Sequence, residues 1–264
     1  MKYRLAFCFC FLQFYFFALC SAKTTPTLDE ILLRVQEHVK EFEFSLPDFV
    51  CNETITSKEI LRGQVAHKTI IDSVFSGRQN NDGGTQQPFT EARTIRMIDG
   101  RPAGKDEQLK APVLFGGGFS SILDATFSDK KAQYHNYKLI GTEKLNGRPT
   151  LVIEFATKKD QTELLFEFLG RKFISKDVGK AWLDPETLNV IRLERRYLNL
   201  PPLDGVLAVS VDFAKIEING KTFWMPRTVR VEQSQPGAKK PVSIQYIAEY
   251  SDYQKFNVSS HIKY

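Results

Sequence analysis

The sequence predicts a mainly β protein of the α+β class, built as one long antiparallel sheet that runs as a strongly curved meander. From residue 49 onward, apolar residues recur with a period of two, which is typical of strands with one buried face. Dipeptides that favour tight hairpins separate several of these strands. Two apolar segments with helical spacing add an N-terminal amphipathic helix and a short inserted apolar helix.

The first 22 residues are expected to be a cleaved signal peptide and not part of this fold. Lys2 and Arg4 make a short basic start, residues 5–19 are almost wholly apolar, and small residues precede a cleavage point after Ala22. This pattern predicts export to the periplasm or cell envelope and leaves a single domain over residues 23–264.

Two other interpretations of this N-terminus stay open. The apolar segment could remain as an uncleaved membrane anchor, although it is short for a span of about 20 residues. Cys20 could carry a lipid, although Leu19 occupies the place where a lipidation signal has a small residue.

Charge and cysteine content limit the possible partners. Loss of Lys2 and Arg4 lowers the formal net charge from +5 to +3, and the other basic residues occur in pairs and not in stripes. No nucleic-acid partner is therefore expected. Of the four cysteines only Cys51 lies outside residues 1–22, so we expect a buried free thiol and no internal disulfide framework.

The N-terminal helix is predicted just after Pro26. Thr27 and Glu30 have the spacing of a capping box, and the apolar residues that follow repeat at helical spacing. Pro47 ends this amphipathic helix after about four turns.

The rest of the domain is predicted to be strands joined by hairpins. Asp99-Gly100, Asn146-Gly147 and Asn219-Gly220 suit two-residue type I′ turns, and Asp184-Pro185 suits a type I turn. Neighbouring strands should therefore pair in sequence order, with residues 160–178 forming either one long strand or two short ones. Candidate strands cover residues 49–58, 67–76, 89–98, 134–144, 148–157, 162–174, 179–184, 188–198, 206–218, 221–233 and 240–254.

The strand over residues 206–218 changes its apolar side part-way along. Val209, Val211 and Phe213 share one face, whereas Ala214 and Ile216 continue the apolar pattern on the other. Such a change predicts a bulge or a bend, which helps a sheet to curl around a helix or a cavity.

The inserted helix is predicted within residues 114–133. Phe119, Ile122, Leu123 and Phe127 recur at helical spacing after three glycines. A short apolar helix between strands has to pack on the sheet. The glycines lack the spacing and the lysine of a phosphate-binding loop, so no nucleotide is expected.

No local motif for catalysis or metal binding is present. The sequence has no HxH, HExxH, CxxC or GxSxG pattern, and its four histidines are scattered. We therefore predict no catalytic residue, no metal site and no cofactor. A hydrolase that gathers carboxylates from separate strands stays open as an alternative.

Two segments resemble the periplasmic lipoprotein-carrier and outer-membrane lipoprotein-sorting family. In "AWLDPETLNVIRLE" an aromatic residue precedes an Asp-Pro turn and a strand that ends in charge, and "TFWMPRTVRVE" has an apolar-Pro step. The order of elements resembles that of the family over most of the chain. The resemblance implies an incomplete barrel, lidded by helices, that binds acyl chains without covalent chemistry. The chain differs from the carriers in its greater length and in its "QNNDGG" loop.

The predicted function is a non-enzymatic exported protein that holds a lipid or the acyl chain of a lipoprotein on an apolar face. Burying an acyl chain needs apolar area and few directed polar groups. A cell-envelope structural or interaction protein of the same fold, with a filled core and a protein partner, is the alternative. The residues expected to contact the ligand are Phe119, Ile122, Leu123, Phe127, Trp182, Val209, Val211, Phe213, Phe223 and Met225.

Overall fold

The computed structural model describes most of the predicted domain. It covers residues 26–79, 89–104, 119, 121–161, 165–168, 171–174, 176–198, 206–235 and 242–256. The predicted signal peptide and most of the polar loop over residues 76–88 lie outside this range. Within it, no helix is both long and apolar enough to cross a membrane.

Three helices and thirteen strands make up the described chain. The helices are α1 (Leu28–Ser45), α2 (Ser121–Phe127) and α3 (Asp129–Ala132). The strands are β1 (Phe49–Leu61), β2 (Gln64–Gln79), β3 (Phe89–Ile98), β4 (Arg101–Pro102), β5 (His135–Leu145), β6 (Arg148–Thr157), β7 (Leu165–Phe168), β8 (Arg171–Ile174), β9 (Lys176–Leu183), β10 (Val190–Leu198), β11 (Val206–Ile218), β12 (Lys221–Gln235) and β13 (Val242–Lys255).

Eleven of these strands form one antiparallel sheet in the order β4-β3-β2-β1-β13-β12-β11-β10-β9-β6-β5. The sheet is unclosed: β4 and β5 are at opposite ends of this order and, among the described residues, are not hydrogen-bonded to each other. The predicted incomplete barrel is therefore confirmed. The predicted pairing in sequence order is wrong at two places, because β1 pairs with β13 and joins two meanders, and β6 pairs with β9.

Strands β7 and β8 leave the large sheet and pair only with each other. The segment that could have been one strand or two is thus a short hairpin. Strand β6 pairs directly with β9, so the β7-β8 hairpin belongs to the connection between two neighbouring strands of the large sheet.

The tight turns follow the predicted chemistry. Both residues of Asp99-Gly100, Asn146-Gly147 and Asn219-Gly220 have positive φ angles, as a type I′ turn requires. A fourth turn of this kind, Arg62-Gly63, joins β1 to β2 and was not predicted. At the Asp-Pro turn the Asp184 carboxylate accepts hydrogen bonds from the backbone N–H groups of Glu186 and Thr187.

Helix α1 begins and ends as its sequence predicts. The Thr27 hydroxyl accepts a hydrogen bond from the Glu30 N–H, and the Glu30 carboxylate accepts one from the Thr27 N–H, which completes the capping box. The helix ends at Ser45, two residues before Pro47. Its buried side consists of Ile31, Val35, Val39 and Phe42.

One row of side chains runs across the large sheet and defines the face that the helices cover. Its members are register partners on eight successive strands, and each is at most 1% exposed. They are Ile71, Ile55, Ala248, Val229, Val211, Leu193, Ala181 and Ile153. We call this side the helix-covered face, because the same buried cluster contains the apolar residues of α1 and α2. The opposite side is called the open face.

A register shift lies near the place where β11 changes its apolar side, and its extra residue, Arg227, is on β12. The shift falls between Asp212 and Phe213, opposite Pro226 and Thr228 of β12. Val211 is buried before the shift and Ile218 is buried after it, so the buried residues change from odd to even positions along the strand. A bulge increases the local twist of the strand pair, and β11 has an apolar side chain against the core at both ends.

Candidate ligand-binding site

Helix α2 lies on a segment that has to pass from one edge of the sheet to the other, since β4 and β5 form opposite edges. We call Phe119 together with α2 the plug. Its side chains Phe119, Ile122, Leu123 and Phe127 are each at most 8% exposed and belong to the same buried cluster as the helix-covered face.

Phe119 sits in a cage of four aromatic rings from three strands. Its ring centroid lies 5.4 Å from that of Phe49, 4.9 Å from Phe75, 5.1 Å from Tyr250 and 6.4 Å from Tyr253. Only 3% of the residue is exposed. Aromatic pairs at these separations attract one another beyond their area burial, so Phe119 is a strong anchor for the plug.

Phe127 anchors the other end of the plug against β5 and β6. Its ring lies 5.8 Å from Tyr137 and 6.3 Å from Phe155, and the residue is fully buried. The Tyr137 hydroxyl donates a hydrogen bond to the backbone carbonyl of Thr126. The sheet thus holds the plug by two aromatic side chains and one directed polar contact.

The sheet residues of the predicted ligand set belong to the same buried cluster as the plug, with one exception. Val209, Val211, Phe213, Phe223 and Met225 are buried members of the core cluster that contains the plug. The structure therefore brings these residues together, and whether they contact a ligand stays a prediction.

Trp182 is the exception, and the expectation that it lines the same face is wrong. Its register partners are Val152 and Arg192, one position away from the fully buried row of the helix-covered face. Its indole Nε1 donates to the Glu143 carboxylate at 3.2 Å, and the Arg192 guanidinium lies 5.8 Å from its ring centroid. The Arg192 side chain and the Glu143 carboxylate therefore cover this tryptophan on the open face.

A trough of about 850 Å³ crosses the open face over β5, β6, β9, β10, β11 and β12. Its floor contains the small side chains of Ala156, Val178 and Ala208. Its walls are charged, and Lys180 pairs with Glu154 at 3.3 Å. Arg192, Glu194 and Arg196 of β10 also line this side of the sheet.

Two ionic groups are buried on the helix-covered face and were not predicted. In the first, the Glu53 carboxylate accepts hydrogen bonds from Arg93 and from the Ser73 hydroxyl, the latter at 2.6 Å. The Glu53 side chain is completely buried, and that of Arg93 is 19% exposed. Each oxygen of the carboxylate is bonded to the guanidinium, so this pair is well satisfied.

The second ionic group joins Asp177, Arg195 and His135. Asp177 accepts hydrogen bonds from Arg195 Nε, from the Thr157 hydroxyl at 2.5 Å and, at 3.0 Å, from His135 Nε2. Side-chain exposure is 0% for Asp177 and His135 and 2% for Arg195. Burial opposes ionisation of Asp177, but the hydrogen bond from His135, the charge of Arg195 and the Thr157 hydroxyl outweigh it and lower its pKa.

The alternation of the sequence contained a signal for this second group. In "LERRYL" Arg195 has the same parity as Leu193 and Tyr197, so it faces the same side as Leu193, which is fully buried. Arg192, Glu194 and Arg196 have the opposite parity and line the trough on the open face. A buried arginine needs an anionic partner, but Asp177 lies on another strand and its position depends on the register.

A carboxyl pair lies between α1 and the plug. Burial, the charge of Asp124 and a hydrogen bond to its carboxyl raise the pKa of Glu43 to about 7, while Lys130 of α3 acts in the opposite direction. A second contact, between Lys40 and Asp129 at 2.5 Å, joins α1 to α3. At neutral pH the plug therefore packs on α1 beside a partly ionised acid pair.

We expect the Glu43→Gln variant to be more stable than the wild type at pH 8 and about equal to it at pH 5. The raised pKa means that the folded protein holds this proton more tightly, so stability is lost as the pH rises from about 4.5 to about 7. Glu43 is half-buried, and solvent screening keeps the effect to roughly 2 °C in Tm. Thermal unfolding of both proteins at the two pH values checks this, and equal differences at both would contradict it.

Among the described residues, no group of three or more histidine, cysteine, aspartate or glutamate side chains could hold a metal ion. Cys51 is free and buried, as predicted. Burial, and then the charge of Glu53, raise the pKa of its thiol. The thiol is accordingly held in the protonated form, which is a poor nucleophile.

Solved structures with a similar course of the chain include proteins of the class that the sequence resembles. A DUF1329 family protein from Desulfovibrio piger is 16% identical, with 87% of this chain and 92% of that chain covered and a TM-score of 0.42. A LolA superfamily protein from Nitrosomonas europaea is 10% identical, with coverage of 86% and 94% and a TM-score of 0.40. The lipoprotein LppX from Mycobacterium tuberculosis is 10% identical, with coverage of 88% and 99% and a TM-score of 0.29.

A LolA superfamily protein is thus among the structures that this chain resembles. With every TM-score below 0.5, they carry no argument about what this chain binds. No family model matches the sequence, and no curated protein matches it.

Proposed function

We propose that this chain is an exported, non-enzymatic binding protein that holds the acyl chain of a lipid or lipoprotein on the helix-covered face. The observation that carries the proposal is the plug, whose two phenylalanine rings occupy aromatic cages built by the sheet. An acyl chain would take the place of these rings and contact the same sheet residues.

Replacement of the plug exchanges one apolar contact set for another. Each methylene of an acyl chain gains about 0.8 kcal/mol when it is buried, so a chain of ordinary length can compensate for the lost phenylalanine contacts. Helix α2 has only seven residues and is too short to be stable alone in water. Its position therefore depends on its side-chain anchors, and a competing apolar ligand can displace it.

The two buried ionic groups of this face support binding and not catalysis. Glu53 is bonded by Arg93 and Ser73, and Asp177 is bonded by three donors. Carboxylates held in this way lack the free proton-accepting oxygen that a hydrolytic acid–base pair uses. The hydrolase alternative would need a wet cleft between carboxylates, whereas these are enclosed.

Native mass spectrometry of the protein, purified gently from the exported fraction and then extracted with organic solvent, tests the proposal. We expect a mass that begins at residue 23 and a second species that carries an acyl compound at near-stoichiometric level. An apo mass alone, together with no uptake of a fluorescent fatty acid, would contradict acyl binding. An intact N-terminus would contradict cleavage after Ala22.

A filled-core interaction protein of the cell envelope is the second candidate, and the trough on the open face favours it. That trough has the volume of a ligand site, with a small-residue floor and charged walls, and it needs no movement of the plug. An apo protein that co-purifies with an envelope protein, and loses it when Ala208 is replaced by Arg, would support this function.

A further inference from the structure

The second ionic group lies directly beside the buried end of the plug. The ring of Phe127 contacts Tyr137 and Phe155, and the His135 ring lies 5.6 Å from Phe155 and 6.0 Å from Tyr137. Phe127 and the second ionic group therefore pack against the same two rings, those of Tyr137 and Phe155.

Arg195 has a hydrogen-bond donor that the protein does not use. Its Nε bonds to Asp177, but its Nη1 is buried and has no hydrogen-bond partner among the described residues. The side chain is only 2% exposed. A buried guanidinium donor without a partner is unfavourable by an amount comparable to a lost hydrogen bond, so such a group marks a site that a ligand can complete.

The His135 ring is held beside the ion pair by two acceptors. Asp177 supplies one negative charge and Arg195 one positive charge. The two ring nitrogens of His135 face two acceptors, Asp177 Oδ1 at 3.0 Å and the Lys131 carbonyl at 3.3 Å.

Tyr137 supplies a second donor that the plug now occupies. Its hydroxyl donates to the carbonyl of Thr126, the residue before Phe127. When the plug is displaced, this hydroxyl loses its acceptor while it remains next to the ionic group. A ligand that replaces Phe127 would meet two donors, Arg195 Nη1 and the Tyr137 hydroxyl.

We propose that Arg195 and Tyr137 bind the anionic head group of an amphiphile whose alkyl chain occupies the place of the plug. This inference rests on the proposed acyl-binding function and specifies its ligand as an acid, either a carboxylate or a phosphate monoester. Both groups accept charge-assisted hydrogen bonds from a guanidinium.

The test compares three ligands with the same alkyl chain: dodecanoic acid, dodecyl phosphate and dodecan-1-ol. Titration calorimetry of the purified protein measures each affinity. We expect at least one of the two acids to bind about tenfold more tightly than the alcohol, because a charge-assisted hydrogen bond forms only with the acid. The acid that binds with the higher affinity identifies the head group.

The paired variant Arg195→Met/Asp177→Asn removes the donor without leaving a buried unpaired charge. We expect it to lose the preference for the acid while its affinity for the alcohol stays within about threefold. Arg195→Lys, which keeps a cation for Asp177 but lacks Nη1, should also lose the preference. Arg230→Met on the open face is the matched control and should keep it.

The outcomes separate this inference from the function on which it rests. If the wild type binds none of the three ligands, acyl binding itself is wrong. If it binds all three equally, or if both Arg195 variants retain the acid preference, acyl binding stands and the head-group assignment is overturned.

Discussion

Replacing Phe119 by alanine is expected to lower the free energy of unfolding by about 3–5 kcal/mol, the range for a buried phenylalanine truncated in a core. The reason is the cage of Phe49, Phe75, Tyr250 and Tyr253, each of whose rings loses a contact. Urea denaturation followed by tryptophan fluorescence measures the change.

Phe44→Ala is the matched control, because Phe44 is 74% exposed at the end of α1. It should change stability by about 0.5 kcal/mol or less. A change of similar size in both variants would show that Phe119 contributes no special anchoring.

The same substitution at Phe119 should increase the affinity for an acyl ligand, by at least about tenfold. A ligand that displaces the plug has to oppose the stability of the closed state, and a weaker anchor reduces that opposition. Calorimetric titration of dodecanoic acid into both proteins, at a temperature where the variant is folded, checks the prediction. Unchanged or weaker binding would contradict displacement of the plug and would favour a core that is simply filled.

Replacing Asp177 by alanine is expected to destabilise the protein by about 3–5 kcal/mol, as breaking a buried pair does when one charge is left behind. Arg195 and His135 would both lose their acceptor inside the core. Glu37→Ala, which breaks an ion pair with Arg34 whose side chains are 51% and 57% exposed, is the control. It should cost about 0.5 kcal/mol or less.

The effect of Asp177 should depend on pH in a defined direction. Because the pKa of Asp177 is lowered in the folded state, its contribution is present above the ordinary value of 3.8 and is lost as the pH falls through the lowered value. The stability difference between the wild type and Asp177→Asn should therefore shrink in acid. A difference that grows below pH 4 would show that Asp177 is not ionised in the native protein.

Most of the fold could be predicted because its signals are local. The bounds of β3, β6 and β11 match the alternation to the residue, and three turns carry the Asx-Gly pairs that positive φ angles favour. The turn at Arg62-Gly63 was missed because arginine gives no such signal. The pairing of β1 with β13 was missed because it joins residues about 200 positions apart, and periodicity holds no information about such partners.

The candidate site could be predicted in part for the same reason. Helical spacing identified Phe119 and Phe127, and strand alternation identified Val209 and Val211. Trp182 was misplaced by one position, because the small Ala181 beside it is the residue that points to the helices and is fully buried. Ionic partners from separate strands depend on register, so Asp177 and Arg195 came together only in the structure.

The position of β1 inside the sheet affects how fast the chain folds. Strand β1 pairs with both β2 and β13, so the interior of the sheet is complete only when the last described strand has arrived. A high contact order of this kind predicts slow folding, because the chain loses entropy in closing a long loop before the long-range contacts form and stabilise it. Until then both meanders present unpaired strand edges, which are open to pairing with another chain.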